Sequence, residues 1–198
     1  QEVKFATHAI KEFNDSTLIV GTHQNGLLKL NKNNYKFKRI LYKSNNSVSS
    51  LLINSIVKTN EGEFFVGTNH GLMTYDPYND VLQPTKLDLS NKYEIINSSI
   101  ESVVIDNNKN IWLGTSSKGI IKISKQNDIH TIENLAITKK RILSLSLKQN
   151  GSILCGTEND GLFQIDIKNN KVVNYKFDKN IPNGIKSNSI WSIYSDNK

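Results

Sequence analysis

Ten side chains of this 198-residue chain are candidates for binding a ligand through hydrogen bonds, charge or ring stacking. Amides, imidazoles and charged groups suit the hydroxyls of a sugar or an acidic glycan, and a tryptophan ring offers a flat stacking face. The same residue types are also common in surface turns, which is the plainer explanation for any one of them. The ten are His23, Asn25, Asn69, His70, Tyr93, Lys118, Arg141, Glu158, Asp160 and Trp191.

These residues do not form a set that could catalyse a reaction. The chain contains no serine nucleophile motif, no metal-binding helix motif and no phosphate-binding Gly-Lys-Ser/Thr loop. Glu101 and Asp160 are the acids that could act as a carboxylate pair, but their spacing does not establish one. We therefore expect no catalytic residue and no cofactor.

No metal site is expected either. The single cysteine, Cys155, excludes an internal disulfide and argues against a cysteine-based zinc site. His23 and His70 fall in equivalent turns of successive repeats, which should splay apart rather than share an ion. His8 and His130 have no evident partner in the sequence.

The elements that position the candidates are four copies of one repeat. Its Gly-Thr pairs begin at residues 21, 67, 114 and 156, so successive copies are 46, 47 and 42 residues apart. Self-similarity at such a period predicts a repeat architecture. Three apolar residues precede each pair, and a second glycine follows it, at Gly26, Gly71, Gly119 and Gly161.

Each repeat contains four predicted strands, which we name A to D in chain order. Strand A shows period-two columns at 14, 12 and 11 residues before the motif glycine. Strand B is the apolar run that ends in Gly-Thr, and strand D is the most polar because it should meet water. The columns of strand A are Thr7, Ile53, Ile100 and Ile142; Ala9, Ser55, Ser102 and Ser144; and Ile10, Ile56, Val103 and Leu145.

Four meandering strands per repeat predict an all-β fold, a β-propeller with four four-stranded antiparallel blades. The blades should span about 5–42, 50–89, 98–133 and 141–178, and 188–198 should begin a fifth with its first strand. The spare strand indicates an open fragment of a larger propeller of about seven blades. In this fold the B–C turns and the D–A connections share one face, around the central funnel. They carry nine of the ten candidates, and Trp191 falls near the top of a strand A.

Three side chains have predicted places in these strands. Trp112 in strand B should be core, with a partner for its indole N–H. Cys155 takes the column of buried aliphatic residues. Trp191 takes the column of His8, Asn54, Glu101 and Leu143, where core packing is favoured and a stacking platform facing the funnel is the alternative.

The repeat is clearest over residues 100–123, where a Ser column leads to Asp-Asn-Asn-Lys-Asn, then Ile-Trp-Leu-Gly-Thr and, after three residues, glycine. This composite resembles the two-component regulator propeller repeat of Bacteroidetes-like bacteria. The resemblance covers essentially the whole chain and is weakest in the first repeat. It implies the periplasmic sensor region of a hybrid two-component system histidine kinase, with a membrane span and signalling domains outside this chain.

The expectation is therefore an extracytoplasmic sensor segment that detects a carbohydrate, such as a polysaccharide breakdown product, and signals to a histidine kinase. The expected partners are an oligosaccharide or other small ligand, the remaining blades of the same protein and a possible second copy. A protein-interaction or dimerisation scaffold is the alternative, and a propeller lyase or hydrolase is the third reading. The net charge of +7 is spread along the chain, so no nucleic-acid partner is expected.

Overall fold

The computed structural model describes residues 6–43, 51–86, 98–126, 129–169 and 171–196. The chain divides into two compact units, residues 1–100 and 101–198. Each unit holds two blades of a β-propeller, and we describe each unit by itself. Within the described ranges, no helix is long and apolar enough to cross a bilayer.

Among its described residues, the first unit contains nine strands in two sheets. The first sheet is an antiparallel meander in chain order, formed by β1 (Thr7–Asn14), β2 (Thr17–Thr22), β3 (Leu27–Asn31) and β4 (Phe37–Arg39). The second has the order β5-β9-β8-β7-β6, formed by β5 (Leu41–Tyr42), β6 (Ile53–Lys58), β7 (Phe64–Thr68), β8 (Gly71–Asp76) and β9 (Val81–Pro84).

The second sheet contains the four antiparallel strands expected of a blade and gains a fifth, parallel strand, β5, beside β9. The predicted strand D of the first blade breaks at Ile40, which is buried and donates its amide N–H to the carbonyl of Leu27. The chain then leaves the first sheet, and β5 pairs in parallel with β9 of the second. Because β5 covers them, Val81 and Leu82 are buried, although an outer strand was expected to be polar.

The second unit contains two four-stranded antiparallel sheets, each in chain order. Ile100, the first residue of β10, still belongs to the first unit. The strands are β10 (Ile100–Ile105), β11 (Ile111–Thr115), β12 (Ile120–Gln126) and β13 (Ile129–Leu135), then β14 (Ile142–Leu147), β15 (Ile153–Thr157), β16 (Leu162–Asp166) and β17 (Lys171–Tyr175).

The B strands form the core of each blade, as their apolar sequences predict. All five residues of β11 are buried, and Cys155 in β15 has no exposed surface. Trp112 is also buried, and its indole N–H donates to Asp106 at 2.8 Å. Asp106 also accepts the backbone amides of Asn108 and Asn110, so one carboxylate closes the A–B turn of this blade.

The motif glycines lie against the following strand A. A methyl group added at Gly114 would come within 2.5 Å of Cγ2 of Ile142, and one at Gly21 would collide with Ile53. Both isoleucines are fully buried. The glycine therefore leaves room for the aliphatic side chain of the next strand A, which explains why its position in the repeat is invariant.

A first strand of a fifth blade was expected in residues 188–198. Residues 190–196 do not pair as a β-strand. They nevertheless follow the path of a strand A. Ile190 lies over Gly156 as Ile142 lies over Gly114, and its amide donates to the carbonyl of Thr157 at 3.0 Å. The hydroxyls of Ser146 and Ser195 are 2.9 Å apart. The packing of a strand A is present without the pairing that defines a strand.

Candidate functional site

In each unit the B–C turns meet the start of a strand A, at what we call the loop edge of the blade. The amide of His23 donates to the carbonyl of Ala6, and the amide of Asn69 donates to that of Leu52. In the second unit the amide of Glu158 donates to the carbonyl of Arg141 at 2.9 Å. The candidate residues of the turns therefore lie beside the ends of the D–A connections, as predicted.

The threonine of each Gly-Thr pair holds the turn that carries the candidates. All four threonines are fully buried. Each hydroxyl donates to the carbonyl of the second glycine and accepts an amide N–H from within the turn. At Thr115 these bonds are 2.8 Å to Gly119 and 2.8 Å from Lys118. The second glycines all have positive φ, as expected, for example +72° at Gly119.

The four described candidates of the first unit differ in their surroundings. Asn25 accepts a hydrogen bond of 2.6 Å from Arg39, and the side-chain oxygen of Asn69 accepts the amide of Leu52 at 3.0 Å. His70 is anchored through its backbone amide, which donates to Thr68. His23 is exposed. Tyr93, the remaining candidate from this part of the chain, lies outside the described residues.

His8 lies beside His23, a contact that was not anticipated. Their ring centroids are 5.3 Å apart and the rings are tilted by 54°. His8 falls where the register of β1 and β2 shifts, and Asn54 and Leu143 occupy equivalent shifts in two other blades. A bulge of this kind re-aims the side chain of the extra residue. In the sequence, His8, Asn54 and Leu143 occupy the same position of the repeat, and this was the available sign that their surroundings are equivalent.

In the second unit, Arg141 brings two acids together. It donates to Glu101 at 2.6 Å, and the side chain of Glu101 is only 7% exposed. The hydrogen bond to Glu101 and the nearby charges of Glu101 and Glu158 raise the pKa of Arg141. The Nε atom of Arg141 is buried and has no hydrogen-bond partner in the described structure. Arg141 is thus a cation paired with Glu101 and near the charge of Glu158, and its Nε–H is an unused donor in the described structure.

Asp160, in the same turn as Glu158, forms a second polar group. Its carboxylate accepts a hydrogen bond of 2.6 Å from the hydroxyl of Thr138 and one of 2.7 Å from the ammonium group of Lys176. The hydrogen bond from Lys176 is the main cause that lowers the pKa of Asp160. Asp160 is therefore ionised at neutral pH and can accept hydrogen bonds, but it is poorly suited to donate a proton.

Trp191 is exposed, so the favoured expectation that it packs in the core is wrong. Its side chain is 70% accessible, although the residue before it is anchored on the blade. Ser189 and Asn159 hold the same segment against the turn of Glu158, with a hydrogen bond of 2.7 Å between their side chains. Trp191 thus follows a fixed backbone at the loop edge of the second unit, with its ring available.

The remaining candidate and the reactive residues add little to this site. The backbone amide of Lys118 is held by Thr115, and its side chain is partly buried. Within the described ranges, no group of three His, Cys, Asp or Glu side chains could hold a metal ion. Burial raises the pKa of the Cys155 thiol to about 12, so this cysteine is unreactive at neutral pH.

Sequence reasoning missed Arg39, which contacts the candidate Asn25. This is one of only two arginines in a chain with 23 lysines. That imbalance was the available signal, because arginine rather than lysine is used where a fixed, planar set of donors matters.

Solved structures of other proteins share the fold of this chain. Neither a protein-family model nor a curated protein matches the chain. Among solved structures it is similar to the extracellular domain of BT4673, described as a hybrid two-component system of B. thetaiotaomicron. That match has 23% identity and a TM-score of 0.79, and it covers 100% of this chain and 26% of the other.

Two further structures extend the comparison. The extracellular domain of BT3049, described as a hybrid two-component system of the same organism, matches with 24% identity and a TM-score of 0.66, over 92% of this chain and 25% of the other. Virginiamycin B lyase from Staphylococcus aureus matches with 13% identity and a TM-score of 0.64, over 88% and 56%. The chain spans about a quarter of the two bacterial extracellular domains. At these identities, the likenesses establish that the chain has the β-propeller fold.

Proposed function

We propose that this chain is a ligand-binding segment of an extracytoplasmic sensor propeller, belonging to a two-component signalling protein that detects a carbohydrate. The similarity along the whole chain to the extracellular domains of BT4673 and BT3049 is the observation that carries the proposal. The repeat resemblance in the sequence supports it independently. Signalling to a histidine kinase and an extracytoplasmic location are part of the same proposal.

The arrangement of the loop edge supports ligand binding. The strands and Gly-Thr turns repeat, whereas the residues after each pair differ, as in a fold that carries a site on its loops. In the second unit the loop edge includes a cation paired with a carboxylate and an exposed tryptophan. Charged hydrogen-bonding groups beside an aromatic face suit the hydroxyl edges and the apolar faces of sugar rings.

A binding experiment on the full extracytoplasmic region tests this proposal. Oligosaccharides of each major polysaccharide class are titrated into the wild-type protein and into Trp191→Ala, Glu158→Gln and Tyr194→Ala variants by calorimetry. We expect one class to bind, with the first two variants weakening its affinity by about tenfold or more through loss of stacking and of a charged acceptor.

The Tyr194→Ala variant is the matched control. Tyr194 is 88% exposed and lies in the same anchored segment, three residues after Trp191. It should bind like the wild type. If no oligosaccharide class binds, the carbohydrate proposal fails. If all three variants bind as well as the wild type, the assignment of this site fails.

An interaction scaffold is the second candidate function, and the outer strand β17 favours it. Val172, Tyr175 and Phe177 in and beside this strand are 41%, 45% and 46% exposed. Sedimentation analysis of the wild type and of a Val172→Lys variant distinguishes the two cases. A concentration-dependent dimer that the variant abolishes would support the scaffold, whereas a monomer in both would oppose it.

The lyase or hydrolase reading has less support. Its two candidate acids are both held by cations, since Glu101 pairs with Arg141 and Asp160 pairs with Lys176. A general acid needs a carboxyl group whose pKa is raised, whereas the pKa of Asp160 is lowered by its hydrogen bond from Lys176. The match to virginiamycin B lyase concerns the fold and does not extend to that enzyme's activity.

A further inference from the structure

The first unit contains a cavity that none of the preceding functions uses. Its volume is about 320 Å³, and it lies where the B–C turn of the first blade meets the end of strand D and the residue Leu51. Asn25 and Arg39 line its polar side, and Leu27, Ile40 and Leu82 line its apolar side. The volume is at the lower end of the range, about 300–1,000 Å³, that small-molecule sites occupy.

The charge of Arg39 is not balanced within this cavity. The described residues that line it include no carboxylate. The guanidinium group uses one of its five N–H donors, in the 2.6 Å hydrogen bond to Asn25. Arg141, the other arginine of the chain, is paired with Glu101. The two arginines therefore differ, since one is paired with a carboxylate and the other is available to a ligand.

The apolar walls are preformed. Leu27 and Leu82 are each 1% exposed and Ile40 is 4% exposed, so they belong to the packed interior of the unit. Leu41, which also lines the cavity, is 61% exposed and offers apolar surface to a ligand. Asn25 holds one end of the guanidinium group, and its own backbone amide donates to Thr22 at 2.9 Å. The Gly-Thr turn thus fixes the cation beside an apolar wall.

We propose that this cavity binds a small carboxylate with an apolar body, the carboxylate on Arg39 and the body against the exposed side chain of Leu41. A planar guanidinium group can donate two parallel hydrogen bonds to a carboxylate, which selects this anion over a neutral group of the same size. The apolar wall selects an acid with an aliphatic or aromatic body over acetate. This site does not depend on the carbohydrate proposal, which is tested at Trp191 and Glu158 in the other unit.

The test uses matched probes on the whole chain. Sodium 4-phenylbutyrate, 4-phenylbutanol and acetate are titrated into ¹⁵N-labelled protein, and backbone shifts are followed by NMR. We expect 4-phenylbutyrate to bind at least about tenfold more tightly than the alcohol, because only the acid pairs with Arg39. Acetate should bind more weakly than 4-phenylbutyrate, and the shifts should centre on residues 24–27 and 39–42.

Variants separate this site from general attraction of anions. Arg39→Gln should weaken 4-phenylbutyrate binding by about tenfold, whereas Lys36→Gln, an equal change of charge at an exposed position of the same segment, should leave it within about twofold. Equal affinity for the acid and the alcohol, equal loss in both variants, or no binding of 4-phenylbutyrate would overturn the proposal. Oligosaccharide titrations of Arg39→Gln should match the wild type, so the two proposals fail separately.

Discussion

At the scale of single residues, the threonine of the Gly-Thr pair is the side chain on which each B–C turn depends. It is fully buried in all four repeats, and its hydroxyl donates to one backbone group and accepts from another. The amide that bonds to it belongs to the turn that carries the candidate ligand residues. A structural hydroxyl thus positions the variable side chains without contacting a ligand itself.

We predict that Thr115→Val destabilises the protein by roughly 1–3 kcal/mol. Valine keeps the shape but leaves the amide of Lys118 without its acceptor, and an unpaired buried polar group costs about that much. Urea unfolding followed by circular dichroism measures the change. Thr131→Val, on the exposed face of β13, is the control and should change stability by less than about 0.5 kcal/mol. Similar losses in the two variants would contradict the role given to Thr115.

At the scale of elements, the A–B turns of the second, third and fourth blades share one backbone conformation and differ in the residue that adopts it. Gly62 and Gly151 have φ of +91° and +81°, and the equivalent Lys109 has φ of +63°. In each turn the amide of this residue donates to the carbonyl three residues earlier, as Lys109 does to Asp106 at 2.9 Å. Lysine therefore occupies a position that favours glycine.

Lys109→Gly should stabilise the second unit by about 0.5–1 kcal/mol. Relief of the left-handed strain outweighs the added freedom of the unfolded chain. Asn108→Gly, one residue earlier and not in this conformation, is the control and should be neutral or destabilising. Thermal unfolding of both variants measures the difference, and a fall in melting temperature for Lys109→Gly would contradict the prediction.

A second element-scale feature is the C–D turn of the second blade, where Asp80 gathers three donors. It accepts from Lys38 at 2.8 Å, Lys29 at 3.0 Å and the hydroxyl of Tyr75 at 2.8 Å. The hydrogen bond from Lys38 is the main cause that holds the pKa of Asp80 well below its usual range. Because Lys29 and Lys38 belong to the first blade, this carboxylate ties the outer strands of the unit together.

Asp80→Asn should therefore cost about 1–2 kcal/mol near neutral pH, a value reduced for partial exposure to solvent. A carboxylate with a lowered pKa stabilises the fold above its unfolded value near 4, and the effect fades as the pH falls below that value. The difference between the wild type and the variant should consequently shrink below about pH 4. Urea titrations at pH 3, 4, 5 and 7 measure it. A difference that does not change with pH would contradict the mechanism.

The sequence predicted the repeated parts of each blade and missed the parts that differ. Columns such as Ser55, Ser102 and Ser144 predicted the A strands, because each repeat solves the same packing problem. The switch of residues 41–42 to the next sheet has no repeated signal, since it depends on the buried Ile40 at one place in the chain. The contact of His8 with His23 was hidden because a bulge sets it. Trp191 was misplaced because its column mixes polar, charged and apolar residues.

At the scale of the whole molecule, acids offset part of the net charge of +7. Several described lysines are paired with acids: Lys29 and Lys38 with Asp80, Lys32 with Glu12, Lys122 with Glu133, and Lys176 with Asp160. These pairs are distributed over both units. Because such pairing weakens the local positive field, the absence of a nucleic-acid site stays our prediction.

We predict no retardation of a 30-base-pair DNA duplex by protein at up to about 1 µM in 150 mM salt, because non-specific binding there is no tighter than micromolar. Weak retardation at 20 mM salt that disappears at 150 mM would fit general attraction between opposite charges. Binding below about 1 µM at 150 mM salt would contradict the prediction and would point to a basic surface that the paired lysines do not form.

The contact between each motif glycine and the isoleucine of the next strand A bears on how such chains change in evolution. The contact joins one repeat to the next, and it is made in the same way by Gly21 with Ile53 and by Gly114 with Ile142. A gene segment that encodes one whole repeat supplies the isoleucine of one such contact and the glycine of the next. Both residues fit the equivalent partner in any neighbouring copy. Duplication or loss of whole repeats therefore preserves the junctions, whereas recombination that shortens a strand A by one residue would place a side chain where only hydrogen fits.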